Sequence, residues 1–298
     1  MILIAADRHH RINRVLLLEN QNRTILEAAK ILDKVENQSC NLGFKKGVYS
    51  MKKSIFGLIA FLIFSTQALA APSIKIYELA ATSSKQASIM TAIDKFMKSP
   101  KGKSYQGGLH VNTILANGVS PATISFVLLM PSLAAIAEWE KSLVGDPDIA
   151  AFWQTLEENA TPTTEFMGSL VKSWGDASNS DRIWMVTNLR TTDPMAVVTA
   201  QDKLMAATGD KFPGQIGLHG LQIGTRTGAN NDYSTHMMAV GYESVAEMED
   251  WMTYMNTQPA WAEFLGSLRG SVVWQGTSLV ENTLVYDAAL DLETFLND

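Results

Sequence analysis

Thr91-Ala92-Ile93-Asp94-Lys95-Phe96-Met97 returns 108 residues later as Thr199-Ala200-Gln201-Asp202-Lys203-Leu204-Met205, identical at five of the seven positions. The likeness extends outward from this pair. Ile74 to Met97 aligns with Arg182 to Met205 at that offset, and Gly108-Leu109-His110 matches Gly217-Leu218-His219 at 109. Thr123 to Leu156 then matches Thr235 to Leu268 at 112, pairing Trp139 with Trp251, Pro147 with Pro259 and Phe152 with Phe264. The offset changes only where loops are expected. Two copies of about 105 residues indicate two halves rather than a solenoid, whose units are shorter and number three or more.

Each copy predicts the same order of elements. First strands fall at Ile74–Ala80 and Ile183–Leu189. The first helix covers about Ser84–Lys98, with Ile89, Ile93, Phe96 and Met97 on one face. Its counterpart opens at Asp193-Pro194, an N-cap with proline at the first helical position, and stops at Gly209. Second strands are Gly108–Leu115 and Gly217–Thr225, and third strands Thr123–Met130 and Thr235–Tyr242. Second helices start at Ser132 and Ser244, and Ser244 with Glu247 has the spacing of a capping box. A short helical segment follows each shared proline, and fourth strands come at Glu165–Lys172 and Thr277–Val285. This is β-α-β-β-α-β, the ferredoxin-like split unit. The expected fold is α+β, with repeat A at 71–175, repeat B at 181–287 and a tail at 288–298. Each unit leaves one sheet face bare, and the two can cover each other, sheet to sheet.

The chain before the repeats has a different character. Residues 1–70 contain ten Lys+Arg and five Asp+Glu, so of the totals of 24 and 30 the remainder carries 14 and 25, a balance of −11. From Met51-Lys52-Lys53 the chain continues through an apolar run to Phe64, then Ala68-Leu69-Ala70. A basic start, an apolar stretch and small residues before a cut predict a bacterial secretory signal at 51–70, cleaved after Ala70. The competing reading is an inner-membrane anchor through 54–70, near the lower length limit for a spanning helix. Because a secretory signal belongs at an N-terminus, residues 1–50 read as leader translated from a start codon assigned too far upstream. Codons for Lys45-Lys46-Gly47-Val48 can spell a ribosome-binding sequence just before Met51. A genuine cytoplasmic extension is the alternative.

The export signal predicts a periplasmic or secreted protein with no stable membrane insertion after cleavage. The single cysteine, Cys40, precedes the cut, so the mature chain has neither disulfides nor thiolate chemistry. Its acidity disfavours nucleic acid and anionic membranes as partners. An apolar content of 46% excludes disorder.

The third strand, the Trp-bearing helix and then Pro147…Phe152 and Pro259…Phe264 resemble the dimeric α+β barrel superfamily, which includes antibiotic-biosynthesis-monooxygenase-like, EthD-like and NIPSNAP-like families. The match is to a fused tandem version covering about 74–286. The resemblance implies an intramolecular α+β barrel, for which a monomer suffices because the pairing is internal. It does not imply one activity, since the superfamily includes cofactor-free oxygenases, isomerases, haem enzymes and binding proteins.

Three histidines follow residue 70: His110, His219 and His236. On the second strand, His110, Asn112 and Ile114 share a face opposite Leu109, Val111 and Leu115, so His110 and Asn112 should point into the barrel. A histidine beside an amide can orient a substrate or move a proton; a hydrogen-bonded structural histidine explains the same pattern. His110, Asn112, His219 and His236 are therefore the catalytic candidates, and Trp184, Gln222 and Tyr242 the ligand-binding ones. Haem-binding members use a histidine on a helix or late in the barrel, and neither second helix here has one. No His-x-His or His-x-x-x-His spacing supports a metal after residue 70, and the methionines at helical spacing read as core. No cofactor is expected. No P-loop, dinucleotide glycine motif or Gly-x-Ser-x-Gly elbow occurs. The expected function is binding of a small apolar molecule in a cavity between the two half-barrels. A cofactor-free oxygenase or isomerase using a barrel histidine, and a non-catalytic assembly protein, are the alternatives.

Overall fold

Strand, helix, two strands, two helices and a strand form each half of the computed structural model, which describes residues 71–118, 120–175, 181–223 and 233–287. The expected leader, signal and tail at 1–50, 51–70 and 288–298 lie outside the described residues. The first half comprises β1 (Ser73–Ala80), α1 (Ser83–Lys98), β2 (Gly108–Ala116), β3 (Ile124–Met130), α2 (Leu133–Ser142), α3 (Pro147–Asn159) and β4 (Thr161–Gly175). The second comprises β5 (Ile183–Thr191), α4 (Pro194–Thr208), β6 (Gln215–Ile223), β7 (His236–Tyr242), α5 (Val245–Asn256), α6 (Pro259–Ser267) and β8 (Val272–Tyr286).

Local chemistry sets the helix starts. Ser132 and Ser244 accept from the amides of Ala135 and Glu247, three residues on. Asp146 and Asp193 cap α3 and α4, each just before a proline whose missing N–H is unneeded in the first turn. Glu247 folds back to accept from the amide of Glu243 at 2.7 Å, one residue before the cap.

The eight strands close into one antiparallel barrel in the order β1-β3-β2-β8-β5-β7-β6-β4. Within each half the order is fourth, first, third, second, and the halves join edge to edge through β2–β8 and β4–β6. Closure leaves no free sheet edge. Alternation along the strands sends one set of side chains to the axis and the other under the helices. Ile74, Ile76, Phe166, Leu221 and Met237 pack along the axis. One outer core gathers Ile89, Ile93, Phe96, Val111, Phe126 and Phe152 beneath α1 and α3. Its counterpart gathers Val197, Leu204, Leu218, Tyr242, Met255 and Phe264.

The fourth strands run to 15 residues each, well beyond the expected Glu165–Lys172 and Thr277–Val285. The reason is tertiary. β4 pairs with β1 through Ser169 and with β6 from Met167 onward, while β8 pairs with β5 through Glu281 and with β2 from Leu279. Each fourth strand begins in its own half and ends in the other, and Trp174 of β4 is buried in the second half's core.

Candidate functional site

On β2 the alternation places Leu109 and Val111 in the outer core and turns His110 and Asn112 toward the barrel axis. His219 on β6 occupies the equivalent place, and Trp184 on β5 faces the same space. Together they border a cavity of about 120 Å3 between the halves. That is room for on the order of four waters at their liquid volume of about 30 Å3 each. Burial withholds protons from both histidines, lowering each to about 4; for His110, Asp287 opposes the shift and Arg182 adds to it. Asp181, just before β5, is pushed up to about 7 by burial and by the negative charges of Glu247 and Glu243. It stands opposite Gly241, where a Cβ would come 2.6 Å from its Oδ2 and 3.0 Å from the Trp184 ring. Glycine there leaves the carboxyl and the indole their space.

The remaining sequence candidates lie elsewhere. His236 is on the outward set of β7 with Met238 and Tyr242, its Nδ1 2.9 Å from the Thr235 hydroxyl. Tyr242 is 1% exposed beneath the second half's helices, and Gln222 is exposed on β6. None of these three borders that cavity. Sequence parity identified the inward pair on β2, whereas β6 carries the same alternation and turns Gln222 outward with Leu218.

A much larger space lies under the helices of the first half. It measures about 940 Å3, between α1–α3 and the outer sheet face, and aromatic rings dominate its walls: Tyr77, Phe126, Trp139, Phe152 and Trp153. Tyr105 tilts against Trp139 with centroids 4.8 Å apart, and Trp153 meets Phe152 at 5.4 Å. Trp153 and Val144 are exposed at its border.

A charged cluster sits on this pocket. Lys75 Nζ lies 2.5 Å from Glu140 Oε1 and 2.8 Å from Glu165 Oε1, and Tyr77 donates its hydroxyl to the same Glu140 oxygen at 2.6 Å. The Lys75 side chain is 7% exposed, so its ammonium is held by these two carboxylates and by the Tyr77 ring 4.7 Å away. Burial and Glu140 raise the Tyr77 hydroxyl far above its ordinary range, so it stays a donor. The second half has no equivalent. Lys75, Tyr77 and Glu140 align with Ile183, Met185 and Met252, and the residue across the ladder from Met185 is Leu279 where Glu165 faces Tyr77. These partners are 65 and 90 residues apart in sequence, beyond the reach of local pattern.

Among the described residues, no group of three or more His, Cys, Asp and Glu side chains is placed to hold a metal ion. Nor is any helix among them long and apolar enough to cross a membrane.

Two split β-α-β-β-α-β halves share one closed sheet whose seams are made by their fourth strands. The chain folds as an α+β barrel of two ferredoxin-like halves closed within a single polypeptide. Solved structures with this likeness include a candidate monooxygenase from Lactobacillus acidophilus NCFM, 14% identical, covering 73% of this chain and 100% of that one at a TM-score of 0.49. An anthrone oxidase-like protein is 13% identical over 73% of this chain and 93% of its own, also at 0.49. A haem-binding protein from Thermus thermophilus is 10% identical over 76% and 96%, at 0.43. No protein-family model matches the chain, and no curated protein does.

Proposed function

We propose that this α+β barrel works outside the cytoplasm and binds a small, flat, largely apolar molecule in the pocket of its first half. The observation that carries this reading is the 940 Å3 aromatic-walled space with one charged cluster at its edge. Ligand sites are typically apolar concavities of about 300–1,000 Å3 with a few placed polar groups. The space between the halves, at about 120 Å3, is too small for such a guest. Export is supported by the basic, apolar and Ala68-Leu69-Ala70 pattern.

Calorimetric titration with 2-naphthol tests the binding. Saturable binding is expected, weakened about tenfold or more by Leu128→Trp, which fills the pocket from the sheet side. No saturable heat, or unchanged affinity in that variant, would overturn the reading.

The Tyr77–Glu140 hydrogen bond favours a second reading, acid–base chemistry on the bound molecule. No histidine among the described residues borders the pocket, so the proton-accepting group is Glu140, with Tyr77 as the hydrogen-bond donor that positions it. Here Tyr77→Phe removes turnover while naphthol binding persists; equal loss of both makes Tyr77 a binding residue only.

A further inference from the structure

The barrel axis is not merely a filled core. His110 Nε2, Asn112 Oδ1, Gln215 Oε1, His219 Nδ1 and Asn282 Oδ1 are buried and have no hydrogen-bond partner, and all five residues border the 120 Å3 cavity. Asp181 Oδ2 and Trp184 Nε1 are in the same position. Each such group costs about 1–3 kcal/mol when left unpaired, so native interiors contain few of them. Seven around one void mark a space that is filled by something polar.

The chemistry of the lining selects the guest. Asn282 Nδ2 donates to the Asp181 main-chain carbonyl at 3.1 Å. A carbonyl only accepts, so the amide orientation is settled and Asn282 Oδ1 must face the cavity as an acceptor. Asn112 donates from its amide nitrogen to the Ser125 hydroxyl at 3.1 Å, and its buried oxygen is the atom without a partner. With Gln215 Oε1 and the Asp181 carboxyl, acceptors outnumber the single fixed donor, the Trp184 indole. Asp287 adds a second carboxylate at the border, and no lysine or arginine lines the space among the described residues. Arg182 is near enough to act on His110 but is not part of the wall. The rest of the wall is apolar, with Ile74, Ile76, Val127, Leu129, Val186 and Met237, and Val127 and Met237 pair across the ladder with His110 and His219. A guest that suits this mixed lining has a hydrogen-bond-donating, positively charged head and a short alkyl tail.

We propose that the space between the halves is a second site, separate from the aromatic pocket, that takes one small primary alkylammonium. Its head is held by Asp181, Asn112, Asn282 and Gln215, and its tail lies on the aliphatic wall.

Calorimetry on the purified protein with n-butylammonium, butyramide and butyrate, matched closely in size, tests this. Butylammonium is expected to saturate at one per chain and to bind at least tenfold more tightly than butyrate. Asp181→Asn, which keeps shape and removes charge, should lower butylammonium affinity about tenfold and leave butyramide within about twofold. Leu128→Trp, which fills the other pocket, should change neither, so the two sites fail or stand independently. Absence of saturable binding by butylammonium, with a crystal structure showing only ordered water along the axis, overturns the proposal. So does butyrate binding as tightly as butylammonium, or an Asp181→Asn variant with unaltered preference.

Discussion

Tyr286 Oη donates to Asp94 Oδ1 at 2.9 Å, fastening the last strand of the second half to the first helix of the first half. The mirror contact is Trp174 Nε1 to Asp202 Oδ1 at 2.7 Å, from the first half's last strand to the second half's first helix. Asp94 and Asp202 are the aspartates of the repeated heptapeptide, and Trp174 and Tyr286 are 112 residues apart. The repeat therefore preserves a crossed contact: each half keeps the aspartate that receives the other's strand end.

Trp174→Ala should cost about 3–5 kcal/mol in urea unfolding, the usual toll for deleting a buried large aromatic side chain. Amide exchange should quicken in α4, in the half to which Trp174 does not belong by sequence. Tyr286→Phe, which removes only the hydroxyl from a partly exposed contact, should lower the melting temperature far less. Equal effects of the two would contradict the packing described.

The buried titratable groups of the axis give stability an unusual pH profile. His110 and His219 fall from 6.5 to about 4, so the unfolded chain binds their protons first. Their contribution is complete above pH 6.5 and is lost as pH falls toward 4. Asp181 rises from 3.8 to about 7, so the folded chain binds its proton first. Its contribution is complete below 3.8 and is lost as pH rises through 7. Between about pH 4 and 6.5 the two axis histidines take up protons on unfolding and Asp181 releases one, while His236, also lowered by burial, adds to the uptake, so stability should rise with pH at a net slope of at least about one proton. Asp181→Asn should steepen that slope by about one. Glu243, Glu247, Asp287 and Arg182 are the neighbouring charges that shape these titrations. Chemical denaturation across this window measures both slopes, and an unchanged slope in the variant would count against the assignment.

Within the charged cluster, Glu140→Gln should destabilise more than Glu165→Gln. Glu140 is the less exposed carboxylate and accepts from both Lys75 and Tyr77, whereas Glu165 is 57% exposed and accepts from Lys75. With allowance for solvent screening, the expected loss is about 1 kcal/mol for Glu140→Gln and less than half that for Glu165→Gln. Thermal melts of the two variants give the order directly.

Asp146→Ala should cost about 1 kcal/mol. Its Oδ1 accepts from the amides of Asp148 and Ile149, both at 3.0 Å, and satisfies two donors that the first turn of α3 leaves without a helical partner. Because α3 also walls the aromatic pocket, naphthol affinity should fall with the helix stability, and an unaffected affinity would show that the first turn does not shape the pocket.

Much of this architecture is legible in residues 71–287 alone. The repeat yields the order of elements, Ser132, Ser244 and Asp193 mark helix starts, and strand alternation sends His110 and Asn112 inward. What stays hidden depends on partners far away in sequence. The flanks Thr161-Pro162-Thr163-Thr164 and Ser173-Trp174-Gly175 have no strand pattern of their own and become strand because an edge of the barrel awaits them. Glu165 is visible as a strand carboxylate, yet its pairing with Lys75 needs the β1–β4 register. Tyr242 and Gln222 show the limit of composition, since an aromatic and an amide on strands suit a ligand wall as well as a buried core or an outer face.

The charged cluster over the aromatic pocket exists once, although the fold that carries it exists twice. In a barrel assembled from two identical chains, every substitution is made in duplicate, and a gain at one pocket is compelled at the other. Joining the copies into one polypeptide removes that obligation. One half is then free to change alone, as it has where Lys75, Tyr77 and Glu140 stand against Ile183, Met185 and Met252 in the corresponding places.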